Sequence, residues 1–224
     1  MSADASVEPS SPRIAVLDYG IGNLRSAQKT LERVGATPIL TSDPAVVAEA
    51  DGVVLPGVGN FGRVMEAIRE AGIDKLVHDA VEREQPFLGI CVGMQALYEG
   101  SEEDPDVAGL GVLPGKIRLL PEGVKRPQMQ WNTLSFPKSS PLFAGIDEGA
   151  WVYFVHSYAP EPTEDVVATC DYGETLTAAS QRDNVFATQF HPEKSGPVGL
   201  KIIENFVELC QRSPERISAG SAEE

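Results

Sequence analysis

Through its first half the chain alternates short apolar runs with stretches of helical periodicity, and no other feature limits its fold as much. Residues 14–17, 37–40, 52–55 and 87–90 read as strands, while the segments from Asn23 to Gly35, from Phe61 to Ala71 and over 73–84 read as helices, with Gly35 and Gly72 as stop signals. Ser42-Asp43-Pro44 opens a further short helix with a cap residue and an early proline. Strands alternating with helices in this way indicate βαβ units around a parallel sheet.

Beyond the middle the pattern changes. Residues 117–120, 152–158, 166–170, 175–179 and 185–190 are strand-like, and Asp183-Asn184 suits a hairpin turn. A closing helix over 198–212 sets Ile202, Phe206 and Leu209 on one face. The expected class is α/β: a three-layer sandwich with a central mostly parallel sheet and an antiparallel extension. It forms one domain over 13–212 between polar, disordered tails at 1–12 and 213–224.

A chain of 224 residues buries a core that needs no disulfide or metal staple. Its 18 basic and 33 acidic residues leave a net charge of −15, a poor match for nucleic acid, whose phosphates are held by clustered Lys and Arg. No apolar run is long enough to span a bilayer, and residues 1–12 lack the basic and apolar regions of a secretion signal. Three cysteines without paired spacing, and the absence of CxxC and HExxH, point to a reducing cytoplasm and to no zinc site.

The most informative segment is Phe87-Leu-Gly-Ile-Cys91-Val-Gly-Met-Gln95, a buried strand running straight into a helix with Cys91 at the corner. A nucleophile on so tight a turn takes a strained backbone conformation, and its neighbours must be tiny, as Gly89 and Gly93 are. The corner lifts the sulfur over the carboxyl edge of the sheet, where open α/β folds bind ligands. A helix N-terminus there favours the thiolate, and the backbone N–H of Val92 points to where an oxyanion forms. A free cysteine is otherwise a small buried hydrophobe, which is how Cys170 and Cys210 read.

A thiol needs a base, and there are three histidines. His78 falls on a charged helical stretch and His156 within a strand, whereas His191 leaves a strand on the rigid turn before Pro192. Glu193 lies two residues on, and in extended chain i and i+2 point the same way, so its carboxylate can hold one imidazole nitrogen while the other meets the thiol. Backbone N–H groups in the glycine-rich strand exit Leu55-Pro-Gly-Val-Gly-Asn60, at Gly57 and Val58, can complete an oxyanion hole; such exits can also be plain turns.

Taken together, PGVGNF at 56–61, GICVGMQ at 89–95 and QFHPEKS at 189–195 resemble a class I (triad) glutamine amidotransferase. DYGIGNLRS at 18–26, MQWN at 129–132 and YFVHSY at 153–158 resemble, within that class, the glutaminase subunit of imidazole glycerol phosphate synthase. The resemblance implies that Cys91 attacks the side-chain amide of glutamine, that His191 moves the protons and that Glu193 orients His191. It implies further that Gln95, Glu103 and the backbone of Ser157 and Tyr158 hold the substrate. Glu103 lies in an acidic stretch that by composition alone is a solvated loop. No cofactor is implied. The implied partner is a (β/α)8-barrel cyclase/synthase subunit that uses the ammonia, and Asn23, Ser26, Met129, Trp131, Tyr153 and Lys194 match positions of the docking face.

Two positions depart from the patterns. Many triad enzymes carry Pro-Gly-Gly at the oxyanion strand, where this chain has Val58 after Gly57. A β-branched residue resists peptide rotation, so an oxyanion hole unready until the partner binds is expected. Gln130 stands where Met-Gly-Trp-Asn has glycine. Competing expectations are a free-standing thiol hydrolase, such as a γ-glutamyl peptidase, and a noncatalytic relative that retains an exposed cysteine.

Overall fold

The computed structural model describes residues 11–211. The elements, in order, are β1 (Arg13–Leu17), α1 (Leu24–Arg33), β2 (Thr37–Thr41), α2 (Pro44–Ala48), β3 (Gly52–Gly57), α3 (Phe61–Glu70), α4 (Ile73–Glu82), β4 (Phe87–Cys91) and α5 (Val92–Ala96). Then follow β5 (Gly100–Ser101), β6 (Lys116–Leu119), β7 (Gln128–Thr133), β8 (Trp151–His156), β9 (Tyr158–Pro160), β10 (Val166–Asp171), β11 (Thr175–Arg182), β12 (Val185–Thr188), a 3-10 turn at Pro192–Lys194 and α6 (Gly196–Gln211).

The main sheet has seven strands in the order β10-β11-β12-β4-β3-β1-β2. From β12 to β2 every neighbouring pair is parallel, while β11 adds antiparallel to β12 and β10 antiparallel to β11. The expected α/β class with an antiparallel extension is the observed one. Right-handed crossovers explain the layers: the step from β1 to β2 runs one way along the sheet, while the steps from β2 to β3 and β3 to β4 run back. Accordingly α1 packs with α6, whereas α2 and α3 pack with α4, and α3 with α5. β1, β3 and β4 are buried almost throughout, which is why they read as continuous apolar runs.

Local chemistry sets the boundaries. Asp43 caps α2 by accepting from Ala45 N at 2.9 Å, with Pro44 in the first turn. Asp183 takes φ +50° in the two-residue turn from β11 to β12. Three differences matter. The segment 152–158, expected as one strand, breaks at Ser157: β8 pairs with β7 in a two-stranded ribbon, and β9 pairs with β6 in a second small sheet. β7, which contains the MQWN motif, was not expected as a strand. The expected tails lie outside the described residues except for Ser11 and Pro12; Pro12 is buried and its carbonyl accepts from Thr37 N at 2.8 Å, extending the ladder of β1. Among the described residues no helix is long and apolar enough to cross a membrane.

Candidate active site

Three adjacent parallel strands end together. Gly57 at the end of β3 is in register with Cys91 at the end of β4, and Thr188 of β12 is in register with Ile90. Residues far apart in the chain are therefore delivered to one carboxyl edge: Gly57-Val58, Cys91-Val92 and Gln189 to His191. This is where α/β sheets bind ligands.

Cys91 has φ +56° and ψ −113°, a conformation that L side chains rarely adopt. The corner leaves no room around it. A Cβ on Gly93 would fall 1.9 Å from the Leu55 carbonyl oxygen, one on Gly57 2.4 Å from Gly93 N, and one on Gly89 2.9 Å from Leu97 Cδ1. The helix after Cys91 spans only five residues, so its dipole is smaller than that of a long helix.

His191 is 1% exposed, and its Nδ1 lies 2.8 Å from Glu193 Oε1, whose side chain is also buried. Burial pushes the imidazole pKa down, but hydrogen bonding and charge from Cys91 and Glu193 outweigh it and raise it to about 9. Nε2, the ring nitrogen that Glu193 leaves over, is the one turned to Cys91. The geometric reason for the His191–Glu193 contact differs from the expected one: residues 192–194 form a 3-10 turn, not extended chain, and Pro192 starts it. The turn is clamped from β8. His191 N donates to Tyr153 O at 3.0 Å, Tyr153 N to Ser195 Oγ at 3.0 Å, and Ser195 Oγ to His191 O at 2.6 Å.

Cys91 and His191 line a cavity of about 400 Å³, together with Val58, Val92, Gln95, Glu103, His156, Ser157, Tyr158 and Lys194. That volume lies within the range of small-molecule sites. Gln95 Nε2 donates to Tyr158 O at 3.0 Å and to Gln189 Oε1 at 2.9 Å. Glu103 is not a free loop residue: Oε2 accepts from Phe61 N at 2.7 Å at the start of α3, and the side chain still borders the cavity. His156 is buried between Tyr158 O and Gln128, both at 2.9 Å, and burial lowers its pKa to about 4. Burial likewise pushes the Cys170 thiol up to about 12 and the Cys210 thiol up, as suits structural cysteines.

The residues expected on a docking face divide. Met129, Trp131 and Tyr153 share the outer face of the β7–β8 ribbon, and the Trp131 and Tyr153 rings meet edge-on at 6.1 Å. Asn23 and Ser26 sit at the start of α1, and Lys194 is on the cavity rim. Trp151, in register with Thr133 and 58% exposed, extends the ribbon face and was not anticipated. Nor were Tyr19, whose hydroxyl donates to Pro56 O at 2.6 Å, and Gln189, whose Nε2 lies 3.8 Å from Cys91 Sγ. Both fall inside quoted motifs, DYGIGNLRS and QFHPEKS, which was the only available signal. Among the described residues no group of His, Cys, Asp or Glu is disposed to hold a metal ion.

The family model for glutamine amidotransferase class-I matches residues 15–210. The imidazole glycerol phosphate synthase subunit HisH of Synechococcus sp. (strain JA-3-3Ab) is 53% identical over 216 residues, covering 94% of this chain and 98% of that protein. The subunit of the same name from Acinetobacter baylyi is 49% identical, covering 88% and 98%. Among solved structures, PurLQS from Thermotoga maritima superposes with a TM-score of 0.72 at 23% identity, covering 88% of this chain and 98% of that one. A glutamine amidotransferase from the same organism gives 0.64 at 15% identity, covering 90% and 99%, so these two speak to the fold. The chain belongs to the class-I glutamine amidotransferases, in the family of imidazole glycerol phosphate synthase subunit HisH.

Proposed function

We propose that this protein is a glutaminase subunit that hydrolyses glutamine to glutamate and ammonia and passes the ammonia to a synthase subunit. The observation that carries the reading is Cys91 on a strained corner beside the buried His191–Glu193 pair, opening on a cavity of small-molecule size. The Cys91 thiolate attacks the side-chain amide carbon of glutamine, and the negative charge that develops on oxygen is met by the backbone N–H of Val92 and by the Gly57–Val58 segment. His191, held cationic by Glu193, gives its proton to the departing ammonia, leaving a glutamyl thioester. It then takes a proton from water, whose oxygen displaces the thiolate to yield glutamate. Gln95, Glu103, Ser157 and Tyr158 hold the substrate.

The name of the curated relatives, a subunit of imidazole glycerol phosphate synthase, supports assembly with a second subunit. That partner is a (β/α)8-barrel synthase that joins the ammonia nitrogen to a phosphoribulosyl-formimino aminoimidazole carboxamide ribonucleotide, giving imidazole glycerol phosphate and an aminoimidazole carboxamide ribotide in histidine biosynthesis. Asn23, Ser26, Met129, Trp131, Tyr153 and Lys194 form its docking face. Val58 makes the oxyanion segment stiff, so the free subunit is nearly idle and the partner with bound nucleotide stabilises the ready form.

Glutamine hydrolysis, followed with and without a barrel synthase and its nucleotide, is the test. Strong activation is expected; equal rates in both conditions would instead mark a free-standing thiol hydrolase. Cys91→Ala and His191→Ala should each lose on the order of 10^5- to 10^6-fold, whereas Cys170→Ala and Cys210→Ala should change turnover little.

A further inference from the structure

We propose that His156, which moves no proton in the reaction, is a positioning residue that fixes the Tyr158 carbonyl in the wall of the glutamine pocket, and that Gln128 holds it there by donating an amide hydrogen to its Nε2. The inference deepens the glutaminase reading and rests on it for the substrate.

Hydrogen-bond accounting leads to this assignment. His156 Nδ1 lies 2.9 Å from Tyr158 O, and its Nε2 lies 2.9 Å from the atom assigned as Gln128 Oε1. A neutral imidazole has one N–H, so it cannot donate to two oxygens. A main-chain carbonyl can only accept, which puts the proton on Nδ1 and requires a donor opposite Nε2. Gln128 supplies one if its amide is turned over, since amide oxygen and nitrogen are told apart only by their partners. The reversal costs Gln128 little at its other end: the side chain is fully buried, and as assigned its Nε2 meets only the Cys170 sulfur, a weak acceptor. Turned over, Nε2 meets His156 and Oε1 faces the neighbouring Cys170 thiol, a weak donor that burial keeps protonated. Burial and the nearby His191 charge keep His156 neutral, although its bond to Tyr158 pulls the other way.

A chain of bonds then runs from Gln128 through His156 to Tyr158. The Tyr158 carbonyl also accepts from Gln95 Nε2 at 3.0 Å, but that nitrogen is shared with Gln189. His156 is thus the dedicated donor at the point where β8 gives way to β9, beside Ser157 on the cavity. Losing it loosens the wall that grips substrate and leaves Cys91, His191 and Glu193 in place.

The test reads the tautomer and the kinetics separately. Nitrogen-15 spectra of histidine-labelled full chain at neutral pH should show His156 neutral with its proton on Nδ1. An Nε2-protonated ring or an imidazolium overturns the proposal, and this readout needs no substrate. In glutamine hydrolysis by the assembled complex, His156→Leu should raise KM about tenfold or more with kcat within about threefold. His156→Asn, whose amide nitrogen takes the place of Nδ1, should recover most of that loss, and His156→Gln, which reaches the Nε2 position, should not. A loss confined to kcat, or equal behaviour of the Asn and Gln variants, overturns it. If the Leu variant does not fold, the tautomer and the Asn–Gln comparison decide. Native protein that shows the expected tautomer but turns over no glutamine would fail the glutaminase reading and not this one.

Discussion

At Cys91 the backbone holds a conformation that glycine adopts readily and other residues rarely do. With φ +56°, any residue bearing a Cβ is strained there, by about 1–3 kcal/mol. Cys91→Gly should therefore be more stable than Cys91→Ala by about 1 kcal/mol or more, the reverse of the usual order, while both are inactive. Urea denaturation of the two variants measures this. The partner residue carries a pH signature. The His191 pKa is raised from 6.5 to about 9, because hydrogen bonding and charge from Cys91 and Glu193 outweigh burial. A raised pKa in a base means that the native state binds the proton more tightly than the unfolded one, so the contribution is complete below about 6.5 and fades as pH climbs through about 9. Glu193→Gln removes the negative charge and leaves only a neutral amide oxygen to accept from Nδ1. Its stability deficit against the native chain should be largest below pH 6.5 and shrink toward pH 9, and its kcat should fall by about 10^4-fold, as when other base-orienting carboxylates are removed.

Among the elements, α3 shows how an acidic loop is put to use. Its first N–H groups are met from outside the helix: Phe61 N by Glu103 at 2.7 Å and Gly62 N by Asp104 at 2.9 Å, while Arg63 N is met by Asn60 at 3.0 Å. Asp104 also accepts from the Asn60 side chain at 2.8 Å. Carboxylates at a helix N-terminus are favoured by both hydrogen bonding and the dipole. Asp104→Ala should cost about 1–2 kcal/mol in thermal or urea unfolding, and Glu103→Ala should lose a similar amount and also raise KM for glutamine. Composition hid this, since a run of acidic residues reads as solvated and its partners lie some forty positions upstream. What could be read was set by local rules: the apolar runs of β1, β3 and β4, the Asp43 cap, the Asp183-Asn184 turn and the glycines around Cys91. What could not be read depended on distant pairing. Ser157 looks like any strand residue until β8 and β9 are seen to pair with different neighbours, and Gln128 to Thr133 becomes a strand only because β8 lies beside it. The His191–Glu193 contact was expected from extended geometry and arises from a 3-10 turn instead, so a correct pairing came from an inexact local argument.

Over the whole molecule, one ribbon links the outside to the chemistry. Its outer face presents Met129, Trp131 and Trp151 at 61%, 45% and 58% exposure, an apolar patch on a chain whose net charge is −15. Large aromatic side chains anchor interfaces, and isolated soluble proteins rarely leave so many together in water. The backbone of the same ribbon holds the turn that follows His191, through the bonds from Tyr153 to His191 and Ser195, and the Val155 carbonyl lies 4.0 Å from Cys91 Sγ. A partner seated on the outer face, as proposed above, would therefore lie one strand away from Cys91 and His191. This separates two variants. Trp131→Ala should weaken assembly by about 2 kcal/mol, roughly thirtyfold in Kd by titration calorimetry, and should leave the maximal rate of the saturated complex nearly unchanged. Ser195→Ala removes the hydroxyl that ties Tyr153 N to His191 O, so it should bind the partner with native affinity yet turn over glutamine at least about tenfold more slowly when saturated. If both variants lost affinity alone, the ribbon would be a docking surface without a mechanical link to the site.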